Sequence, residues 1–202
     1  MNKTLNIRTT EFTELLHSQG VVFGNGWDDA NYAEVVIWLE DHGYFTAPAS
    51  TKYHGAYEGG LFDHSYAVAQ ELLTLTDRNN LTWRDRRSPA IVGLFHDICK
   101  CDQYVTANDE NMLSVDIYGN IVVHPQYKWN DQQLLIGHGD KSIMVLSQLM
   151  SLTEEEIFCI RYHMGAFTDK DEWQCYTRAV ERYPNVLWTH HADMLVSHVS
   201  GV

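Results

Sequence analysis

Apolar residues recur along most of this chain at intervals of three and four, the spacing that lines one face of an α-helix. Thr10 is placed to cap a first short helix that closes near Gly20. Asp28 or Asp29 can cap a second, in which Val35, Val36 and Leu39 keep the helical interval. A loop of small and polar residues, 43–60, precedes a long helix from Leu61 to about Thr76, with Val68, Leu72, Leu73 and Leu75 inside. Ser88-Pro89 is a start signal, with Ser as N-cap and Pro in the first turn. The helix it opens, Ala90 to about Cys99, is almost wholly apolar until His96 and Asp97, which predicts a central, buried position.

The helical pattern stops between residues 101 and 137. Leu113 to Val123 instead alternates around Tyr118-Gly119-Asn120, the signature of a β-hairpin. Helices resume at Asp140 to Met150 and again after Thr153, which forms a T-x-x-E capping box with Glu156. A last helix spans roughly Val186 to Val199. The prediction is a mostly α chain forming a single domain over 1–202, with a small β-hairpin insert around 113–123. The wider 101–137 segment is a candidate lid.

Composition narrows the function classes. With 45% hydrophobic residues the 202-residue chain can bury a core. Fourteen basic against 27 acidic residues leave a net charge of −13, which argues against bulk nucleic-acid binding or an anionic membrane surface. A small phosphorylated ligand held by a metal and a few local cations stays compatible. The N-terminal stretch MNKTLNIRTTEF lacks the apolar core of a secretory signal, and apolar runs such as Val35 to Leu39 are too short to span a bilayer. The cysteines, at 99, 101, 159 and 175, form no CxxC pair and read as free thiols of a cytoplasmic protein.

The chemistry lies in histidines and aspartates set among apolar neighbours on several elements: His64, the adjacent His96-Asp97 pair, His138, His163 and Asp193. A carboxylate on an apolar helix is costly unless paired or metal-bound, which singles out Asp97 and Asp193. Imidazole nitrogens and carboxylate oxygens suit divalent Fe, Mn, Co, Ni or Zn.

These residues and their surroundings carry a resemblance. Through YHGAYEGGLFDHSYAV (53–68), GLFHDICK (93–100), GHGDKS (137–142), IRYHMG (160–165) and HHADML (190–195), the chain resembles the HD-domain metal-dependent phosphohydrolase superfamily in its expanded H…HD…H…H…D form. The resemblance covers roughly residues 43–198, with 101–137 least matched, and includes the HD domains of certain bacterial 3′→5′ exoribonucleases. It implies an HD-domain helical bundle. It also implies a centre of two divalent transition metal ions, with His64, His96, Asp97 and Asp193 at the first, Asp97 bridging, and His138 and His163 completing the second. Cys99-Lys100 stands where the family often has Gly-Lys; the retained Lys100 is expected near the metals and phosphate, acting in catalysis with Asp97. The implied reaction is hydrolysis of a phosphomonoester or phosphodiester, a nucleotide by preference, by metal-activated water.

Further cations are candidates for substrate binding: Lys52 and His54 before Gly59-Gly60, and Lys141 one turn after His138. Arg161, two residues from His163, need not face the same way. His190 shares a helix face with Asp193, whereas His191 does not and reads as structural. Glu58 either orients His64 or caps a turn, and His17, His42, His124 and His198 need no function. Tyr104, Tyr118, Tyr127 and Trp129 suit either a base-stacking lid or the core of the hairpin. The resemblance leaves other functions open for the same ligands: a mixed-valent di-iron oxygenase of HD type, a 3′→5′ exonuclease-like enzyme, or a non-catalytic nucleotide-binding HD protein.

Overall fold

The computed structural model describes residues 4–21, 23, 29–107, 112–115, 119, 121–124 and 126–201. Helix α1, Leu5–Gln19, buries Arg8, Phe12, Leu15 and Leu16 along one stripe. Its N-cap is Thr4, six residues before the expected Thr10. Thr10 lies inside it and donates its hydroxyl to the Asn6 carbonyl instead of capping. The helix stops where expected, at Gly20, whose left-handed backbone (φ 67°) directs its N–H to the His17 and Leu16 carbonyls. Helix α2, Asp29–Asp41, buries Val35 and Leu39; the alternative cap Asp28 lies outside the described residues.

Helix α3, Gly60–Asn79, and helix α4, Ser88–Phe95, form the central pair. Every residue of α4 is buried, as its apolar run predicts. Two details differ from the expectation. Arg87 holds the N-cap position, while Ser88 is the first helical residue and spends its hydroxyl on Glu156, 2.8 Å away. The α-helix also ends at Phe95, before Cys99, and the chain tightens to a 3₁₀ turn over Ile98–Asp102. His96 and Asp97 therefore occupy the junction between the two helical forms.

The insert holds two antiparallel ladders. β2 (Met112–Val115) pairs with β3 (Ile121–His124) in the expected hairpin, while β1 (Tyr104–Thr106) pairs with β4 (Tyr127–Trp129) at its base. Gly119 of the turn has φ 84°; Tyr118 and Asn120 lie outside the described residues. Helix α5, Gly139–Leu146, is shorter than its pattern, and α6, Glu154–Arg161, begins at the predicted capping box, with both Thr153–Glu156 hydrogen bonds present. Helix α7, Trp173–Arg182, was not among the expected elements. Helix α8, Asn185–Leu195, continues into a π-helical turn, Val196–Ser200. The chain is thus mostly helical with a small antiparallel β element. Among the described residues no helix is long and apolar enough to cross a membrane.

An aromatic cluster anchors the core. The Phe12 ring meets Tyr44, Phe45, Phe62 and Phe95 edge-on, with centroids 5.5–6.4 Å apart, tying α1 and the 42–59 loop to α3 and α4. Gly93 sets how close the central pair can come. A Cβ there would lie 2.3 Å from the Ala69 Cα, so the two helices touch backbone to backbone. On the far side of α4, Glu156 accepts from Ser88, and Glu155 accepts from the Arg84 amide and Asn185, which fixes α6 against α4 and α8.

Candidate metal centre

Five pieces of chain deliver the six sequence-nominated ligands to one place. His64 projects from the start of α3, His96 and Asp97 from the end of α4, His138 from the N-cap of α5, His163 from just after α6, and Asp193 from α8. Gly139 allows the approach of α5, because a Cβ there would sit 2.4 Å from the Arg161 carbonyl oxygen.

Asp97 lies at the middle. Its Oδ1 is 3.1 Å from His138 Nε2 and 3.5 Å from His163 Nε2, while its Oδ2 is 3.6 Å from both His64 Nε2 and His96 Nε2. His64 Nε2 is also 3.3 Å from Asp193 Oδ1 and 3.3 Å from His96 Nε2, and His138 and His163 meet Nε2 to Nε2 at 3.0 Å. Three overlapping triads result: His64-His96-Asp97, His96-His163-Asp193 and Asp97-His138-His163, each with its ligand atoms within 4.8 Å of one another.

The outer edges of the rings explain why the Nε2 atoms face inward. His96 Nδ1 lies 2.9 Å from the Gly93 carbonyl and His163 Nδ1 lies 2.7 Å from the Ile160 carbonyl. A carbonyl only accepts, so Nδ1 carries the proton in both rings and Nε2 offers its lone pair to the centre. His138 is held differently, with Nδ1 3.3 Å from the Cys99 thiol.

Four imidazole nitrogens, two of them with lone pairs aimed inward, crowded against two carboxylates make little sense as a neutral hydrogen-bonded core. The Asp97 Oδ1 atom is buried and accepts no well-directed hydrogen bond. The donor set fits a divalent cation, and the buried His/Asp groups can hold one. The electrostatics agree. Burial drives the His96 imidazole down to about 3 and also lowers His138, keeping both neutral, as a ligand must be. Burial opposes ionisation of Asp97, but Lys100, His96 and His138 outweigh it and hold the carboxyl well below its usual range. Asp193 is lowered too, because its hydrogen bond from His64 and the neighbouring imidazoles overcome its burial.

The centre opens into a cavity of about 580 Å³ lined by Asp97, His138, His163 and Asp193. Lys100 lines it as well, buried, with Nζ 2.6 Å from Asp97 Oδ2. His54 lines it with its ring 5.0 Å from that of His64; burial, together with the His64 and Lys100 charges, pushes its imidazole down to about 4. The other two nominated cations sit elsewhere. Lys52 is exposed and does not line this cavity, and Lys141 is buried with its ammonium on Asp102 and Gln133.

Several cavity residues carried little or no signal in the sequence. Arg161 borders the cavity, its guanidinium paired with Glu172 at 2.8 Å and with Asp140. Met164, Phe167 and Tyr104 supply apolar wall, so the insert contributes directly through Tyr104. His190 and His198 also border it, while His191 and Glu58 are exposed. The His124 side chain and Tyr118 lie outside the described residues. Behind α3, buried Arg8 grips Asp63 through two 3.0 Å contacts and the Glu58 carbonyl through a third, fixing the turn next to His64. Nothing in the α1 sequence marks Arg8 for that task.

Compared with protein-family models, with curated proteins and with solved structures, the chain matches none. The helical fold and its His/Asp cluster are compatible with an HD-like arrangement.

Proposed function

We propose that this chain is a metal-dependent phosphohydrolase of the HD type, cleaving a phosphomonoester or phosphodiester, with a nucleotide as the favoured substrate class. The observation that supports it is the convergence of all six ligands of the H…HD…H…H…D pattern around one shared carboxylate, Asp97, at the floor of an open cavity. In this reading His64, His96, Asp97 and Asp193 hold one divalent ion, and Asp97, His138 and His163 hold a second. Bound divalent ions would supply Lewis acidity, bringing the pKa of a coordinated water towards neutrality and offsetting charge on phosphate oxygens.

The protein's own groups do the positioning. The carbonyls of Gly93 and Ile160 lock the His96 and His163 tautomers, so these rings need no rearrangement to bind metal. The Lys100 ammonium sits on the cavity side of Asp97, where an anionic ester would enter, and its charge both balances Asp97 and draws phosphate. His54, kept neutral, offers a polar wall without adding a competing positive charge. The cavity is large enough for a mononucleotide, while a chain carrying −13 has little attraction for long polyanions.

The test is metal analysis of the purified chain coupled to a phosphate-release screen over nucleotides with Mn²⁺, Fe²⁺, Co²⁺ and Ni²⁺. The proposal predicts metal-dependent release of phosphate from a monoester, or of a monoester from a diester (read after added phosphatase), that Asp97→Ala abolishes. Oxygen consumption with a mixed-valent iron signal and no phosphate release would replace the hydrolase by the oxygenase reading. Nucleotide binding without turnover in metal-replete protein would replace it by a ligand sensor.

A further inference from the structure

We propose that His190 is a substrate-binding residue that accepts a hydrogen bond from a hydroxyl group lying beside the phosphate. The inference rests on the phosphohydrolase reading and gives it a substrate class: a phosphate ester of a polyol or sugar, in which a hydroxyl lies near the ester oxygen.

The tautomer of His190 follows from its surroundings. Nδ1 lies 2.8 Å from the main-chain carbonyl oxygen of His163, which can only accept, so Nδ1 carries the ring hydrogen. Nε2 is then the ring nitrogen left to accept. The ring is held from a second side by Gly165, a left-handed residue (φ 53°). A Cβ there would fall 2.4 Å from the ring Cδ2 and Cγ and 2.6 Å from Nδ1, so the Cγ end of the ring packs on the Gly165 backbone, and Nε2 is at the opposite end. His190 lines the same cavity as Asp97, His138 and His163, and no described residue supplies a donor to Nε2.

A fixed acceptor facing a cavity selects a donor, because an unpaired polar group enclosed by a bound ligand costs affinity. The donor should be neutral, since the buried Lys100 ammonium occupies the same cavity and would repel a second one. An alcohol meets both conditions. His190 stands one helical turn before Asp193, so their Cβ atoms are roughly 5–6 Å apart on one face of α8, and one small molecule can place a phosphate at the metal ligands and a neighbouring hydroxyl at His190.

The experiment is calorimetric titration of the Mn²⁺-loaded chain at pH 8 with three probes: inorganic phosphate, 3,4-dihydroxybutylphosphonate and butylphosphonate, whose P–C bonds withstand hydrolysis. The wild-type chain should bind the dihydroxy compound about fivefold more tightly than butylphosphonate, the worth of one net hydrogen bond. In His190→Asn the shorter amide still reaches the His163 carbonyl but offers nothing at the Nε2 position. The preference should fall to near unity, with Mn²⁺ content and phosphate affinity unchanged. His190→Gln, whose amide extends to the Nε2 position, should restore part of it. Equal binding of the two phosphonates by wild type, or an undiminished preference in His190→Asn, overturns the assignment while leaving the hydrolase reading intact. Loss of Mn²⁺ from His190→Asn makes His190 a support for His163 alone and equally overturns it. If wild type binds none of the three anions, the phosphohydrolase reading falls, and this inference with it.

Discussion

Gly93→Ala tests whether the packing of α3 on α4 sets the metal geometry. The added Cβ would sit 2.3 Å from the Ala69 Cα, 2.6 Å from its N and 2.8 Å from its Cβ. A methyl group has no rotamer to change, so relief must come from the backbones, which have to separate by about 1 Å to regain ordinary contact. Overpacking of this kind costs up to about 3 kcal/mol. Replacing Gly by Ala inside a helix returns about 1 kcal/mol. The net loss, about 2 kcal/mol, lowers the melting temperature by roughly 4–8 °C in a chain of this size. The centre suffers more than the fold. Gly93 is three residues before His96, and His64 lies on the facing helix with its Nε2 3.3 Å from His96 Nε2. Metal–ligand distances tolerate only about ±0.2 Å. Calorimetric melting and metal stoichiometry of the same preparation should therefore show a folded helical protein that has lost most of its metal. A Gly93→Ala protein with wild-type metal content would refute the argument that this contact aligns the ligands.

Three further outcomes follow from the same structure. Metal-free protein should melt at progressively lower temperature as pH falls from about 6.5 towards 3. Burial holds folded His96 near 3, so the unfolded state takes up the proton that the folded state refuses; Asp97 and Asp193, lowered in the fold, add to the loss below about 4. His163 opposes this trend, since its bond to Asp97 raises it despite burial and its contribution fades only as pH rises; a melting temperature flat from pH 7.5 to 4.5 would contradict the balance. Cys99→Ala removes the partner that the described residues place at His138 Nδ1 and should weaken metal binding about 10–100-fold in competition with a chelator, with Cys99→Ser recovering part of it. Arg8→Met takes the guanidinium from Asp63, leaving the Tyr57 hydroxyl on its carboxylate, and frees the Glu58 carbonyl; it should cost about 3 kcal/mol in denaturant unfolding, and a loss under 1 kcal/mol would show that Arg8 does not fix the turn before His64.

The residues that matter most at the centre are legible in the sequence because each breaks a local pattern. Asp97 interrupts an apolar helix, Asp193 sits between Ala192 and Met194, and glycines flank His138. Five of the six ligands also fall near an element end or a turn that hydrophobic periodicity and capping residues locate, whereas Asp193 lies within the last helix. The second tier is less legible because its signals are long-range. Ser88 looks like an N-cap, yet buried Glu156 on α6 claims its hydroxyl, and the cap passes to Arg87. Thr10 likewise suits a cap, but the buried stripe from Arg8 to Leu16 extends the helix back to Leu5. Lys141 sits one turn from His138 as the spacing requires, but Asp102 and Gln133, brought in by the chain after α4 and by the loop before α5, take its charge. Helix α7 carries apolar Tyr176, Ala179 and Val180 at helical intervals, diluted by a polar remainder, and buries only Ala179 fully. Arg161 was undecidable from spacing alone, because α6 ends at it and the chain turns before His163.

The measurement closest to the central claim is metal content after reconstitution with Mn²⁺, Fe²⁺, Co²⁺ or Ni²⁺ and removal of free ion, in wild type and in Asp97→Ala. Because His96 and His163 each belong to two of the triads and Asp97 links two of them, the account predicts bound metal in the wild type with histidine and carboxylate ligation by X-ray absorption, and loss of most of it in the variant. A wild-type chain that retains no metal, or an Asp97→Ala chain that retains as much as wild type, would contradict it.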